Sequence, residues 1–439
     1  MIGIKTIREQ TTLVRDALKA RNMTGPIDEI LELDLKRRAL LVKVENDRAE
    51  RKEAGKAIGQ AKTEADRIEL ITKQRSGADQ LDELESQLKN IDSSMNELLL
   101  EIPNLPHPEL PFGGEESAEV ILIGDGMNNE EVFSTPKYLE DFTIELATSI
   151  PHWDIGRNYG YIDFERGVKV SGSPFYMLRS DGARLQRALI NWMLDLHHEH
   201  GFEEVYPPFL VRTDPLVGTG QLPKFSDNLF GLENSDLWLV PTAEVPITNM
   251  YRDEILDHAQ LPIQHSAYTA CFRREQFSAG REVRGIKRGY QFDKVEMVVF
   301  TREHESWEML ESLLQNALDV VRKLGLRYRV LRLASGDIGF SASMTYDIEI
   351  WSPGSGEWLE VSSVSNFTDF QARRAGLRYR SEDGSVKHLH TLNGSGLGIP
   401  RTFAAILEQN VLPDGRVLIP TVLQSYLGNQ EYLLPVKSA

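Results

Sequence analysis

Between residues 81 and 98 the apolar positions fall at Leu81, Leu84, Leu88, Ile91, Met95 and Leu98, alternately three and four apart. That spacing draws a narrow apolar seam along an α-helix, and such a seam requires a partner helix. Upstream, Leu33, Leu40, Val44, Ala54 and Ile58 give a weaker stripe, interrupted by Asp47 and Arg51. The polar run Lys62-Thr63-Glu64-Ala65-Asp66 between the two stripes reads as a turn. Residues 28–101 are therefore predicted to form an antiparallel coiled-coil arm, each half about 35 residues and roughly 50 Å long. Ile102-Pro103-Asn104-Leu105-Pro106-His107-Pro108 ends it, because proline lacks the amide donor on which a helix continues.

The pattern then changes. A Gly- and Glu-rich stretch, 111–131, reads as a linker between an N-terminal domain, 1–110, and a C-terminal domain, 132–439. In the latter, Leu185, Leu189, Trp192, Met193 and Leu196 share one face of a helix predicted to open at Asp181 and run through His200. Strand-like runs follow at 237–240, 295–300, 328–333, 346–351 and 358–361. They are separated by hairpin-type turns rather than by regular βα units, which predicts an α+β domain with an antiparallel sheet and packed helices.

The net charge of −17 argues against a surface that binds nucleic acid throughout. It leaves room for a local basic strip, since screening confines charge effects to about 10 Å. The tip of the predicted hairpin is such a strip: residues 48–75 hold eight Lys/Arg against five Asp/Glu. Arg48, Arg51, Lys52, Lys56, Lys62 and Arg67 are its candidate phosphate contacts. Cys271 is the only cysteine, which excludes an intrachain disulfide and a multi-cysteine zinc site, and it reads as a small core residue. No apolar run approaches the ~20 residues of a membrane span, and the N-terminus lacks a long apolar core, so a cytoplasmic location is expected.

Residues 268–299 carry the densest chemistry. Arg273, Arg274, Arg281, Arg284, Lys287 and Arg288 lie between two apolar runs that read as strands, followed by Phe292 and by a lone carboxylate, Glu296, in an apolar setting. Guanidinium forks match phosphate oxygens and an aromatic face can cover a base, so the segment suits a polyanion bearing a flat ring. On its own it reads equally well as an Arg-rich solvated hairpin.

Two further segments narrow the choice. Gly201-Phe202-Glu203-Glu204-Val205-Tyr206-Pro207-Pro208-Phe209-Leu210 precedes the Arg-rich stretch, and Gly394-Ser395-Gly396-Leu397-Gly398-Ile399-Pro400-Arg401 leads into an apolar helix. In this order the three resemble the signature motifs of the class II aminoacyl-tRNA synthetases. Within that class, 218–225, Pro241-Thr242-Ala243-Glu244, Gln291-Phe292-Asp293-Lys294-Val295-Glu296 and 392–397 are similar to the seryl-tRNA synthetase family, as is the helical arm. The resemblance spans essentially the whole chain.

It implies an enzyme that activates L-serine with ATP and Mg²⁺, then esterifies the 3′-terminal hydroxyl of tRNA(Ser), with tRNA(Sec) as a further candidate. By the same resemblance, Arg273 would bridge the serine carboxylate and the α-phosphate. Glu275 would meet the adenine amino edge, and Phe292 and Arg401 would cover its two faces, Arg401 also reaching the γ-phosphate. Glu360 and Ser363 would hold Mg²⁺ with the nucleotide; Arg274, Val361 and Ser362 complete the ATP set. Thr242 and Glu244, with Ala243 between them, would take the serine ammonium, and Glu296 and Ser395 its hydroxyl. The N-terminal arm would contact the long variable arm of the tRNA, and 132–439 would be the catalytic domain. Pro208 would stand at the interface of a homodimer.

The chemistry is consistent on its own terms. A carboxylate attacking the α-phosphorus brings two anions together, so the site needs cations and fixed geometry rather than a protein nucleophile. A pocket that hydrogen-bonds a hydroxyl rejects alanine by about 10⁴ or more. The chain departs from the usual family pattern at Gln276-Phe277, Tyr290, Met344, Val364 and Pro400, none of them a proposed ligand. Two other readings are a paralogue that loads a carrier protein and a non-catalytic coiled-coil protein with a relic site. The helical arm argues against the first, and the intact set Arg273, Glu275, Glu360 and Arg401 against the second.

Overall fold

The computed structural model describes residues 1–61, 63–126, 130–132, 149–276 and 284–434. It divides into two compact units, Met1–Pro103 and Asn104–Ala439.

In the first unit, short helices Ile4–Glu9 and Thr11–Ala20 precede two long ones, α1 (Ile27–Gln60) and α2 (Glu64–Leu100), which pair as the seam requires. Leu40, Val44, Leu81, Met95 and Leu99 are buried. Asp47 and Arg51, the interruptions of the weaker stripe, are half-buried in it. Ion pairs Arg37–Asp92 (2.5 Å) and Arg48–Glu85 (2.8 Å) cross between the arms. Thr63 caps α2 by accepting the Asp66 amide, which fixes where the second arm starts.

The second unit is built on a nine-stranded sheet. Its strands are β1 (Glu119–Asp125), β2 (Glu130–Val132), β3 (Glu203–Glu204), β4 (Ile263–Phe272), β5 (Gln291–Thr301), β6 (Arg327–Arg332), β7 (Met344–Ser352), β8 (Glu357–Asn366) and β9 (His390–Gly398). The order is β2-β1-β6-β7-β8-β9-β5-β4-β3, antiparallel except where β3 pairs parallel with β4. Strand β1 lies inside the stretch expected as a linker: Val120, Ile121, Leu122 and Ile123 form an apolar run that pairs with β6. The Gly and Glu residues on both sides of that run give the stretch the composition of a linker although its centre is apolar.

Side chains alternate across the sheet, and the alternation decides where the site can lie. On β5, Val295, Met297 and Val299 point into a core shared with three helices, α3 (Ser180–Glu199), α4 (Ser306–Leu324) and α5 (Ile399–Gln409). The opposite parity gives Phe292, Lys294 and Glu296, which line an open cleft. Farther along that face, Val298 and Phe300 enter a second apolar cluster with Ala243, Ile247, Ala372 and Ala375. One face is thus sealed by helices and the other offers polar groups on a rigid floor. No helix of the described residues is long and apolar enough to cross a membrane.

Candidate active site

The cleft has a volume of about 470 Å³. Of the residues singled out in the sequence, Thr242, Glu244, Arg273, Glu275, Phe292, Glu296, Glu360, Val361, Ser363, Ser395 and Arg401 line it. Ala243 and Ser362 are buried beside it and do not line it. Arg274 lies over the Phe230 ring, 5.0 Å from its centroid, and is not among the lining residues.

Two strand irregularities assemble the floor. Opposite β5, strand β9 carries one extra residue: Val295 faces Leu397 and Glu296 faces Ser395, leaving Gly396 unpaired. A Cβ at Gly396 would stand 2.4 Å from Nε2 of His197 on α3, so this bulge requires glycine. On β8, Glu360 faces Glu349 and Ser362 faces Ile348, leaving Val361 unpaired. Residues three apart on a regular strand point to opposite faces. The bulge brings Glu360 and Ser363 to the same side, with Ser363 Oγ 3.4 Å from Glu360 Oε1.

The amino-acid end is the buried one. Glu296 is 1% exposed. Its carboxylate accepts the Thr242 hydroxyl at 2.9 Å and the Asn393 amide at 3.3 Å, and is paired with the Lys294 ammonium. Glu244 accepts Nε2 of Gln371 at 2.6 Å, while Gln371 Oε1 accepts the Thr391 hydroxyl at 2.7 Å. Burial, reinforced by the charge of Glu296, pushes the Glu244 carboxyl up to about 7. Lys294, Asn393 and Gln371 were not anticipated. The period-two rule applied to Glu296 and Ser395 would have pointed to Lys294 and Asn393; nothing local signals Gln371.

The phosphate end is cationic. Arg273 donates from Nε to the Pro241 carbonyl at 3.1 Å, and its guanidinium sits 5.1 Å from the Phe292 ring centroid. Arg401, near the start of α5, donates to the Lys287 carbonyl at 3.2 Å and to the Glu360 carbonyl at 2.6 Å. Enclosure would raise Glu360, but Arg401, Arg273, Arg288 and Lys294 outweigh it and hold the carboxylate below its usual range. Asp347 on β7 accepts the Ser363 hydroxyl at 2.6 Å, and burial together with Glu360 pushes its carboxyl well up. Glu275 adopts φ +50°, a left-handed value costly for a side chain with a Cβ, and is held by Arg288 at 3.1 Å. Pro400 occupies the first turn of α5, where its missing amide costs nothing.

Comparison with known proteins fits this arrangement. Residues 1–106 match the family described as the seryl-tRNA synthetase N-terminal domain, and 229–410 match the tRNA synthetase class II core domain (G, H, P, S and T). A serine–tRNA ligase of Thermomicrobium roseum is 51% identical over 98% of this chain and 94% of its own. That of Chloroflexus aurantiacus is 50% identical over 99% of this chain and all of its own. The chain belongs to the seryl-tRNA synthetase family. Among solved structures, seryl-tRNA synthetase of Pyrococcus horikoshii complexed with ATP superposes with a TM-score of 0.89 at 36% identity, covering both chains completely. Prolyl-tRNA synthetase of Giardia lamblia shares the fold alone, with a TM-score of 0.53 at 15% identity over 64% of this chain. As a member of the seryl family the chain is a class II serine–tRNA ligase, forming seryl-adenylate and pyrophosphate from serine and ATP and passing serine to tRNA(Ser).

For a seryl-tRNA synthetase, several basic residues of the Arg-rich stretch have structural employment. Lys287 pairs with Glu357, Arg288 with Glu275, and Arg284 lies over Trp153 at 4.8 Å. Arg281, Phe277 and Lys62 lie outside the described residues. On the arm, Arg48 pairs with Glu85 and Lys56 with Glu53, and Lys52 and Arg67 are exposed.

Proposed function

We propose that serine and ATP meet across Arg273, in the order in which the cleft changes character. The observation that carries this is the convergence on one sheet face of buried acceptors, Glu244 and Glu296, next to cations and a ring, Arg273, Arg401 and Phe292. Serine enters with its ammonium toward Thr242 and Glu244 and its hydroxyl toward Glu296 and Ser395. Its carboxylate meets Arg273, which also holds the α-phosphate for in-line attack. Adenine rests on Phe292 with its amino edge at Glu275, covered by Arg401. Val361 lines the wall there, and Ser362, buried behind it, donates to the Ser395 carbonyl. The donor set of Glu360 and Ser363, two oxygens with the carboxylate kept charged, fits Mg²⁺, which takes few protein ligands and completes its shell with water and phosphates. Bound there, the ion would neutralise charge on the phosphates.

Glu244 gives this reading a pH signature. Its carboxyl, raised to about 7, must ionise to receive an ammonium. The KM for serine should therefore be flat above about pH 8 and rise as pH falls, by about tenfold between pH 8 and pH 6. Serine-dependent ATP–pyrophosphate exchange across that range tests it. Glu244→Gln should give a high, pH-independent KM, and a variant KM equal to that of the wild-type enzyme would remove Glu244 from the ammonium site.

We assign the arm to tRNA, through Arg48, Arg51, Lys52, Lys56 and Arg67, with Lys62 a further candidate; the pairs of Arg48 with Glu85 and Lys56 with Glu53 are exposed and leave both cations open to phosphates. A basic strip of few aromatics suits recognition of an RNA helix by its phosphates and 2′-hydroxyls. Removal of residues 30–100 should spare pyrophosphate exchange and abolish charging of tRNA(Ser), and of tRNA(Sec) if that is also a substrate. Loss of both activities to the same extent would refute a separate role for the arm. A homodimer in the cytoplasm completes the reading. The edge beyond β3 exposes Tyr206 (80%), Pro208 and Leu210, apolar residues that a second copy would cover, and sedimentation reads the mass directly.

A further inference from the structure

We infer that His152 is a positioning residue for ATP: it latches the return segment of the Arg-rich hairpin to α5 and so sets the places of Arg401 and Glu275. The inference rests on the assignment of those two residues to the nucleotide.

His152, on the short helix His152–Asn158, and Glu408, near the end of α5, both have side chains that are 0% exposed. Nδ1 of His152 lies 2.6 Å from Glu408 Oε1, which also accepts the His152 amide at 2.9 Å. The other oxygen of Glu408 accepts the Ser352 hydroxyl and the Gly354 amide, the latter at 3.0 Å. Because the Ile286 amide can only donate, to Nε2 of His152, the ring proton lies on Nδ1; among the described residues this carboxyl therefore faces four donors and serves as a carboxylate. Burial pushes Glu408 up, and the bonds from His152 and Ser352 outweigh it, leaving the group below its usual range. With Nδ1–H directed at a carboxylate, Nε2 is left as an acceptor, and it takes the Ile286 amide at 3.2 Å. The preceding residue makes the approach possible. Gly285 has φ +83°, and a Cβ there would stand 2.0 Å from Nε2 of His152.

The next two residues are those that touch the ATP ligands. The Lys287 carbonyl accepts Arg401, and Arg288 holds Glu275. Arg401 and Glu408 are seven residues apart on α5, two helical turns and about 10.5 Å, on one face. One helix thus grips adjacent residues of the return segment at both its ends: directly at the Lys287 carbonyl, and through His152 at the Ile286 amide. Trp153 adds a side wall, with Arg284 and Lys287 over its ring at 4.8 and 5.8 Å. None of these contacts reaches the serine pocket, so loosening the latch should affect ATP and spare serine.

His152→Asn separates packing from positioning. Its amide can still donate to Glu408 and is too short to reach the Ile286 amide. In serine-dependent ATP–pyrophosphate exchange, its KM for ATP should rise about tenfold, the loss of one well-placed buried hydrogen bond. Its KM for serine should stay within about twofold. Glu408→Gln, which sets an amide against four donors, should raise the KM for ATP likewise, and the double variant should fall short of the product of the two singles. A folded His152→Asn enzyme with an unchanged KM for ATP, or with both KM values raised by the same factor, overturns the inference. Should that variant not fold, Gly285→Ala attacks the same contact from the hairpin side and is held to the same criterion. Arg401→Ala is the control. If it leaves the KM for ATP unchanged, the assignment of Arg401 to ATP has failed, and not the latch.

Discussion

Glu296→Ala should lower kcat/KM for serine by about 10³-fold in pyrophosphate exchange and leave alanine a substrate nearly as good as serine. Thr242, Asn393 and Lys294 all donate to this carboxylate, which is 1% exposed. Of about four lone-pair positions on a carboxylate, three are then engaged, and one remains for a hydroxyl entering from the cleft. Serine fills it and alanine leaves it unpaired in a buried site, which is how a single acceptor can discriminate between ligands that differ by one oxygen. Removing Glu296 also strips the buried Lys294 ammonium of its partner, so the loss should exceed that of one neutral hydrogen bond. Glu296→Gln is the sharper variant. It keeps the size and turns an amide N–H toward groups that are themselves donors, so its loss for serine should approach that of alanine substitution. A serine-to-alanine ratio that survives either change would place the hydroxyl elsewhere.

Arg273→Ala should reduce adenylate formation by at least about 10³-fold, the scale of removing a preorganised donor from a developing negative charge. The guanidinium is anchored at the Pro241 carbonyl and lies against Phe292, so it is held in place before substrate arrives. It stands between the serine-side carboxylates and the phosphate-side arginines, where two anions must meet. Arg273→Lys should recover only part of the loss, because an ammonium supplies charge without the planar fork that spans a carboxylate and a phosphate. Both KM values should rise along with the fall in kcat, which distinguishes it from the ATP-selective effect expected at His152. A kcat/KM within tenfold of wild type would remove Arg273 from the reacting centre.

Much of this molecule is decided locally. The three-and-four spacing of Leu81 to Leu98 and the break at Pro103 specify the arm, because an isolated apolar stripe on a helix has to find a partner. Alternation along 291–301 separates the core side, Val295 and Met297, from the cleft side, Phe292, Lys294 and Glu296, because a strand has no other way to turn its side chains. Other features required the tertiary structure. Glu360 and Ser363 are three apart, and a regular strand would turn them to opposite faces. They share the cleft because the register against β7 leaves Val361 unpaired, and that register is set by a neighbouring strand, not by residues 360–363. The raised carboxyl of Glu244 depends on its burial, on Glu296 and on Gln371, a residue 127 positions away. The latch joins His152, Ile286 and Glu408, drawn from three separate stretches of chain. Periodicity reports which face a residue occupies; only folding reports which distant groups share that face, and the energetics of a buried charge depend on the latter.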